Sequence, residues 1–499
     1  MRLGRLRAGA RRAGIAAVSL MTLGLVTSGV AAPALSGPAV RPVVSDFQII
    51  TQSEIPPTEA QCFSVGRRCF TPSSMQNSYN LAPLYALGDN GAGRTIAIVD
   101  SFGSETIKHD LHVFDNTFGL QQMCGEENVT CQPGMPTFSI VHFQGDPPPK
   151  APPPNNGPGQ EAHNLWALEV SLDVEWSHVI APKANIMLVT TPTAETLGEQ
   201  GFRQMMNAEE QVIQNQLADV ISQSFASGED AFQSFQSLLN LRYAFKDAQA
   251  SNITVLGSSG DDGTAEFLKN PPKNPKMLPF PGVYWPASDP LVTGVGGTYL
   301  CTDPFTGQGV DSVDPPVNCQ NNPGVREIGW IAAGGGFSHV FGRPAYQDTL
   351  PAGSTPIPSS QRGVPDIAYQ ASSRTGVLVY ITEPGYSGLP CPDGNPCSLG
   401  WYVVGGTSSG SPQWAGLVAI AAQMNGGPLG LINPALYKIA SNPAQYANDF
   451  YDVTTGNNGL FAPDIPGYPA TTGWDPVTGL GTPNAANLLP DLVAALHGH

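Results

Sequence analysis

Basic residues are scarce in this chain. It carries 23 Lys and Arg against 40 Asp and Glu, a formal net charge of −17 over 499 residues. That balance excludes nucleic acid as a partner, because binding phosphates takes a basic footprint. Charge of either sign is thin: 13% of residues are charged and 41% hydrophobic, which excludes wholesale disorder and permits a large core. Few lysines on an acidic surface also suit acidic surroundings, where such a surface sheds net charge. No Cys-x-x-Cys spacing occurs, so the common zinc and redox motifs are absent. Histidine is rare as well, with 8 in all, and the last two sit at the C-terminus.

Long apolar runs are missing except near the N-terminus. There "MRLGRLRAGARR" is basic without an acid, "AGIAAVSLMTLGLVTSGVA" is apolar, and "AAPA" offers small residues for cleavage near Ala32 or Ala34. The run is broken by Ser, Thr and Gly and is short for a membrane span. Residues 1–34 therefore read as an export signal, which implies a secreted protein that meets a membrane only during export. Arg11-Arg12 hints at a twin-arginine route. In an exported chain the eight cysteines, which fall as neighbours, imply local disulfides: Cys62 with Cys69, Cys124 with Cys131, Cys301 with Cys319 and Cys391 with Cys397.

Residues 35–70 show no strong period and read as a short N-terminal segment. From Thr71 to the end the chain is punctuated α/β. Apolar runs at 95–101, 184–191, 219–225, 253–259 and 291–297 read as buried strands, and 197–216 and 230–250 as helices. That alternation predicts an α/β fold with a mainly parallel central sheet and helices on both faces. Functional groups then gather at the carboxyl ends of the strands. "GDPPPKAPPPNNGPGQ" (145–160) is too rich in proline for a helix or central strand and reads as a surface insertion.

Three elements carry chemistry. "VVGGTSSGSPQWAGLVAIAA" (403–422) places Ser408 after two glycines and before a run of helix formers, with Pro412 in the expected first turn. A serine hydroxyl needs a neighbour to take its proton, and no histidine stands in a small-residue His-Gly-Thr setting. Glu169 and Asp173 lie in "ALEVSLDVEW", which supports two readings. As a strand it sets the two carboxylates about 13 Å apart, too far to share a proton. As a helix it sets them one turn apart, with β-carbons about 6 Å apart. Even then an exposed acidic helix face remains the simplest account. Third, "TVLGSSGDDGT" (254–264) ends a buried strand and delivers Asp261 between Gly260 and Gly263, although Gly-Asp-Asp-Gly alone is an ordinary turn.

Taken together, "ExxxD" at Glu169 and Asp173, "SSGDDG", "GGGFSHVFGRPAYQ", "GVPDIAYQ" and "GGTSSGSP" resemble the sedolisin (serine-carboxyl peptidase) family over roughly residues 70–490. The resemblance implies a subtilisin-like three-layer fold and hydrolysis of peptide bonds in protein or peptide substrates. It implies Ser408 as nucleophile, Glu169 as base and then acid, Asp173 as the group orienting Glu169, and Asp261 in the oxyanion hole. A glutamate base and a protonated Asp261 favour acid pH. One structural Ca2+ is also implied, with carboxylates from Asp452 and Asp475 and carbonyls from Val453, Thr471 and Gly473. Thr471 stands where relatives often have glycine, and Gly410 where they commonly have serine.

A long prodomain, usual in the family, is not expected between signal and catalytic domain. A monomer is expected. A Ser408/His163/Asp100 arrangement is the runner-up for catalysis, and a catalytically silent secreted scaffold is the alternative function. Endopeptidase and tripeptidyl-peptidase action are not separated by these motifs.

Overall fold

A computed structural model describes residues 37–44, 46–146, 163–193, 197–268, 276–382, 384–390, 396–397 and 400–498. The expected signal, most of the proline-rich insertion and Cys391, and with it the expected Cys391–Cys397 pairing, lie outside the described residues. The N-terminal stretch opens with two short strands, β1 (Arg41–Pro42) and β2 (Phe47–Thr51). Then follow β3 (Thr95–Ser101), β4 (Phe138–His142), helix α1 (His163–Ile180) and β5 (Asn185–Thr191). Helix α2 (Glu199–Gln214) leads to β6 (Val220–Gln223), from which the chain passes through Ser224 into β7 (Phe225–Gly228). Beyond lie β8 (Thr254–Ser258), β9 (Thr293–Leu300), β10 (Glu327–Gly329) and β11 (Ile367–Gln370). A hairpin of β12 (Thr375–Ile381) and β13 (Gly400–Val404) delivers helix α3 (Thr407–Asn425).

The central sheet runs β10–β9–β8–β6–β3–β5–β4, with β11 also paired to β9. All its pairs are parallel except β9 with β10. Successive residues of β3 face opposite layers, as a pleated strand requires. Ile96 and Ile98 pack with Leu172 of α1 and Leu417 of α3, whereas Ala97 and Val99 pack with Phe202 and Met205 of α2. The result is the expected three-layer α/β architecture. Each fully buried Leu, Ile or Phe in these layers contributes about 1.5–3 kcal/mol relative to exposure.

Helices α1 and α3 cross closely beneath the sheet. A side chain at Gly416 of α3 would bring its Cβ to 2.7 Å from Ile180 Cβ, so only glycine lets the two backbones approach this far. A second sheet runs β2–β13–β12 to the strand Arg68–Phe70, and β2 pairs antiparallel with β13. Disulfides Cys62–Cys69, Cys124–Cys131 and Cys301–Cys319 form as the spacing predicts.

Two local expectations change. The helix predicted over 230–250 breaks into a 3-10 turn, Phe235–Leu239 and Tyr243–Ala250. Ser234 restarts the second piece with a capping box, and Arg242 leaves the helical path to bind Asp289 at 2.5 and 2.9 Å. Pro412 sits inside α3, in its second turn rather than its first.

Candidate active site

The strand reading of residues 168–176 is overturned, because α1 is helical throughout. So is the exposed acidic face: Glu169 and Asp173 are both 0% exposed, one turn apart and turned towards the carboxyl ends of the sheet strands. Asp173 accepts a hydrogen bond from the Ser224 hydroxyl at 3.0 Å, and Ser224 is the link residue between β6 and β7. Asp100, next to last in β3, is buried among them with no hydrogen-bond partner for either oxygen. Three carboxyls thus share one dry site.

Their titration follows from that crowding. Burial, and then the Asp173 and Asp100 carboxylates, push Glu169 well above the usual carboxylate range, while the nearby Ser408 hydroxyl pulls it back in part. Burial, and then Asp100, hold Asp173 well above it too. Asp100 is pushed up to about 8 by burial. Like charges this close in a low dielectric cannot all ionise, so the cluster retains protons.

Ser408 is the second residue of α3, following Gly406 at φ 132. Its hydroxyl donates to the backbone carbonyl of Val43 at 2.6 Å. Ser408 also lies beside Glu169, and hydrogen bonding between the two side chains lowers that carboxyl, although neither Glu169 oxygen makes a hydrogen bond of ordinary geometry. Asp261 emerges just after β8, 8% exposed, and its Oδ1 accepts from the Thr407 amide at 2.8 Å and the Thr407 hydroxyl at 3.0 Å. The space beside Gly406 is ringed by this chemistry. A Cβ built there would lie 2.4 Å from Val43 O, 2.8 Å from Asp261 Oδ2 and 3.0 Å from Ser408 Oγ. Glycine at 406 is what leaves room for a carbonyl oxygen between the aspartic acid and the serine.

The structure therefore brings Ser408, Glu169, Asp173 and Asp261 together at one end of the sheet. Histidines do not join them. His163 begins α1 rather than lying in a loop, and its side chain is outside the described set. His109, His112, His178 and His339 pair with Glu127, Glu126, Asp115 and Asp230, and His142 bonds Thr190. Sequence reasoning passed over Ser224, Asp100 as a member of the carboxyl cluster, and the approach of Val43. A lone aspartate ending an apolar strand was the only available signal, and it fits a turn equally well.

No family model matches the chain. Kumamolisin from Bacillus sp. (strain MN-32) is 29% identical over 442 residues, covering 87% of this chain and 66% of that protein. Tripeptidyl-peptidase 1 of Mus musculus is 29% identical over 344 residues, covering 67% of this chain and 53% of its own. The structure of Pseudomonas sedolisin, a serine-carboxyl proteinase complexed with two molecules of pseudo-iodotyrostatin, superposes with a TM-score of 0.60 at 25% identity. It covers 85% of this chain and 98% of that one. The chain is similar to these serine-carboxyl peptidases over most of its length. It has the subtilisin-like fold and spans about two thirds of the length of kumamolisin and half that of tripeptidyl-peptidase 1.

The segments expected to bind calcium also meet. Asp452 accepts from the Gly473 amide at 3.2 and 3.1 Å and from the Tyr446 hydroxyl at 3.1 Å. Asp475 is fully buried and accepts amides of Thr471, Val477 and Thr478 at 2.8–3.0 Å. Burial raises Asp452 and pushes Asp475 up to about 7, and both carboxylates act on the Tyr446 hydroxyl. The Thr471 hydroxyl lies 3.2 Å from that of Thr355. Among the described residues no group of three or more His, Cys, Asp or Glu gathers, so any ion here relies on backbone carbonyls. The carboxylates of buried Asp475 and half-buried Asp452 are oxygen donors of the kind a hard cation takes.

Proposed function

We propose that this chain is a secreted serine-carboxyl peptidase that hydrolyses peptide bonds of proteins or peptides at acid pH. Ser408 attacks the substrate carbonyl and passes its proton to Glu169, which takes it as the one ionised member of a carboxyl cluster whose other members stay protonated. Asp173, fixed by Ser224, holds Glu169 in place and keeps that proton transferable. Asp261 accepts from Thr407 at Oδ1, and its Oδ2, which faces the space beside Gly406, would donate to the oxyanion when protonated. Glu169 then returns the proton to the leaving amine, and water releases the acyl group by the same route. Asp261 must be protonated to donate, which favours acid pH, where a histidine base would be lost as imidazolium.

The observation that carries this reading is a peptide carbonyl held 2.6 Å from Ser408 Oγ, within the ring of Gly406, Asp261 and the buried Glu169. Kinship with kumamolisin and tripeptidyl-peptidase 1 supports a peptidase over a silent scaffold. Acid-quenched mass spectrometry during turnover of a peptide ester tests it. An acyl group on the peptide containing Ser408 is expected, and an adduct elsewhere, or none during turnover, contradicts it.

A structural Ca2+ would be held by Asp452 and Asp475 with carbonyls of Val453, Thr471 and Gly473, and would pin the C-terminal loops. The protein acts as a monomer and is exported through its N-terminal signal. No described helix is long and apolar enough to cross a membrane.

A further inference from the structure

The edge of β7 beside Ser408 offers a lane for a peptide, and residues 39–43 mark its course. The Val43 carbonyl accepts from Ser408 at 2.6 Å, which puts Val43 where a substrate places the first residue before the cut. Counting back, Pro42 and Arg41 pair antiparallel with Phe225 and Ala226 of β7, as an added strand does. Side chains alternate along such a strand, so Arg41, the third residue, returns to the face of Val43. There it lines a cavity of about 210 Å³ with Asp262, Phe267 and Tyr284. That cavity is acidic. The Tyr284 hydroxyl donates to Asp262 Oδ2 at 2.6 Å. The Tyr284 ring lies against Gly260, where a Cβ would stand 2.8 Å from Cδ2, so the turn that delivers Asp261 also seats this pair. Glu266, 0% exposed, adds a second negative charge that reaches Tyr284. Asp262 makes no ion pair among the described residues, and the cation whose charge acts on both Asp262 and Tyr284 is Arg41. Burial raises the Asp262 carboxyl, while the Tyr284 hydroxyl and the Arg41 charge pull it back, so a bound cation favours its ionised form.

We infer that Asp262, oriented by Tyr284, selects substrates carrying a Lys or Arg side chain at the third residue before the cut. The inference rests on the peptidase reading above and names a substrate class for the same site. A free α-amine at that position would bring the same charge, as in the release of tripeptides from a substrate's N-terminus. The course of the lane favours the side chain, because the lane does not end there. Val40, the fourth residue, is 0% exposed and packs in the apolar cluster of Phe202, Phe225 and Trp285. The Ala39 amide, one residue further, donates to Ser227 Oγ at 3.3 Å. A substrate that continues past its third residue therefore finds an apolar seat for the fourth and a polar contact for the fifth.

The test uses the full chain at about pH 5, above the ordinary carboxylate range. Two quenched peptides differ only in arginine or citrulline at the third residue before the cut, which mass spectrometry locates. Citrulline keeps the shape of arginine and loses its charge. The parent is expected to favour the arginine peptide about tenfold in kcat/KM, mostly through KM, the worth of one hydrogen bond to a charged group. Asp262→Asn is expected to bring that ratio close to unity. Equal efficiency on the two peptides in the parent overturns the inference without recourse to any variant, and a preference that survives Asp262→Asn does the same. Shortened peptides that begin at the third residue, with and without N-terminal acetylation, separate the two sources of charge. Cleavage that requires the free amine assigns Asp262 to a substrate N-terminus and overturns the side-chain reading. A parent that cleaves neither these peptides nor an acid-denatured protein overturns the peptidase reading with it.

Discussion

Replacing Glu169 with glutamine separates a catalytic carboxyl from a merely buried one. The amide has the same shape but cannot take the Ser408 proton. No second base stands ready: Asp173 is bonded to Ser224, and each described histidine is engaged elsewhere. A positioned general base is worth about 10²–10⁴ in rate, or about 2.7–5.4 kcal/mol at 1.36 kcal/mol per tenfold, so kcat of Glu169→Gln should fall by that factor. Stability should move the other way as pH rises. Burial, Asp173 and Asp100 hold the folded-state pKa of Glu169 well above its unfolded value. Its favourable contribution is therefore complete below the unfolded pKa and is lost as pH rises through the folded one. Glutamine carries no such dependence. The melting temperature of Glu169→Gln relative to the parent should thus increase between about pH 4 and pH 7. Steady-state kinetics on a peptide, with thermal unfolding at both pH values, measures both. A variant within a few-fold of parental kcat refutes the assignment of the base. One that loses activity together with its fold refutes the claim that the amide fits.

Asp173→Asn removes the largest charge acting on Glu169 after burial, so the pH–rate profile should shift to lower pH as well as lose amplitude, read from kcat/KM across the acid range. Loss of amplitude without a shift would assign Asp173 a packing role. The parent should lose thermal stability as pH rises from about 4 towards 8, because Asp100, Asp110, Glu209 and Glu229 are raised to between about 7 and about 8 by burial. A flat melting profile over that window contradicts these buried protonated carboxyls. Chelation should lower the melting temperature and added Ca2+ restore it, with about 2.7 kcal/mol gained at a hundredfold excess over Kd. Asp475→Asn should abolish the response, and an unchanged response would remove Asp475 from the site.

The strands of the central sheet were legible because their burial on both faces makes them uniform apolar runs, and β3, β5 and β8 lie within a residue of the expected bounds. Helix α1 was not, for the same physical reason. It is buried all round, with Leu168, Val170, Leu172, Val174 and Trp176 as inaccessible as Glu169, Ser171, Asp173, Glu175 and Ser177. A helix without a solvent face has no apolar stripe, and here the residues fell by chance into a strand-like alternation. The glycine-flanked turns were easier: Gly406 and Gly260 adopt positive φ where the sequence clusters glycine around Ser408 and Asp261. Residues 39–51 carried no periodic signal because their structure is borrowed from distant partners, β7 and β13. That pairing depends on the assembled sheet edges, so no local pattern announces it.

Cleavage of an acid-denatured protein across roughly pH 3 to 8, by the parent and by Ser408→Ala, tests the central claim most directly. The account predicts activity on the acid side that vanishes in the variant. Activity confined to neutral pH, or surviving the loss of Ser408, would contradict it.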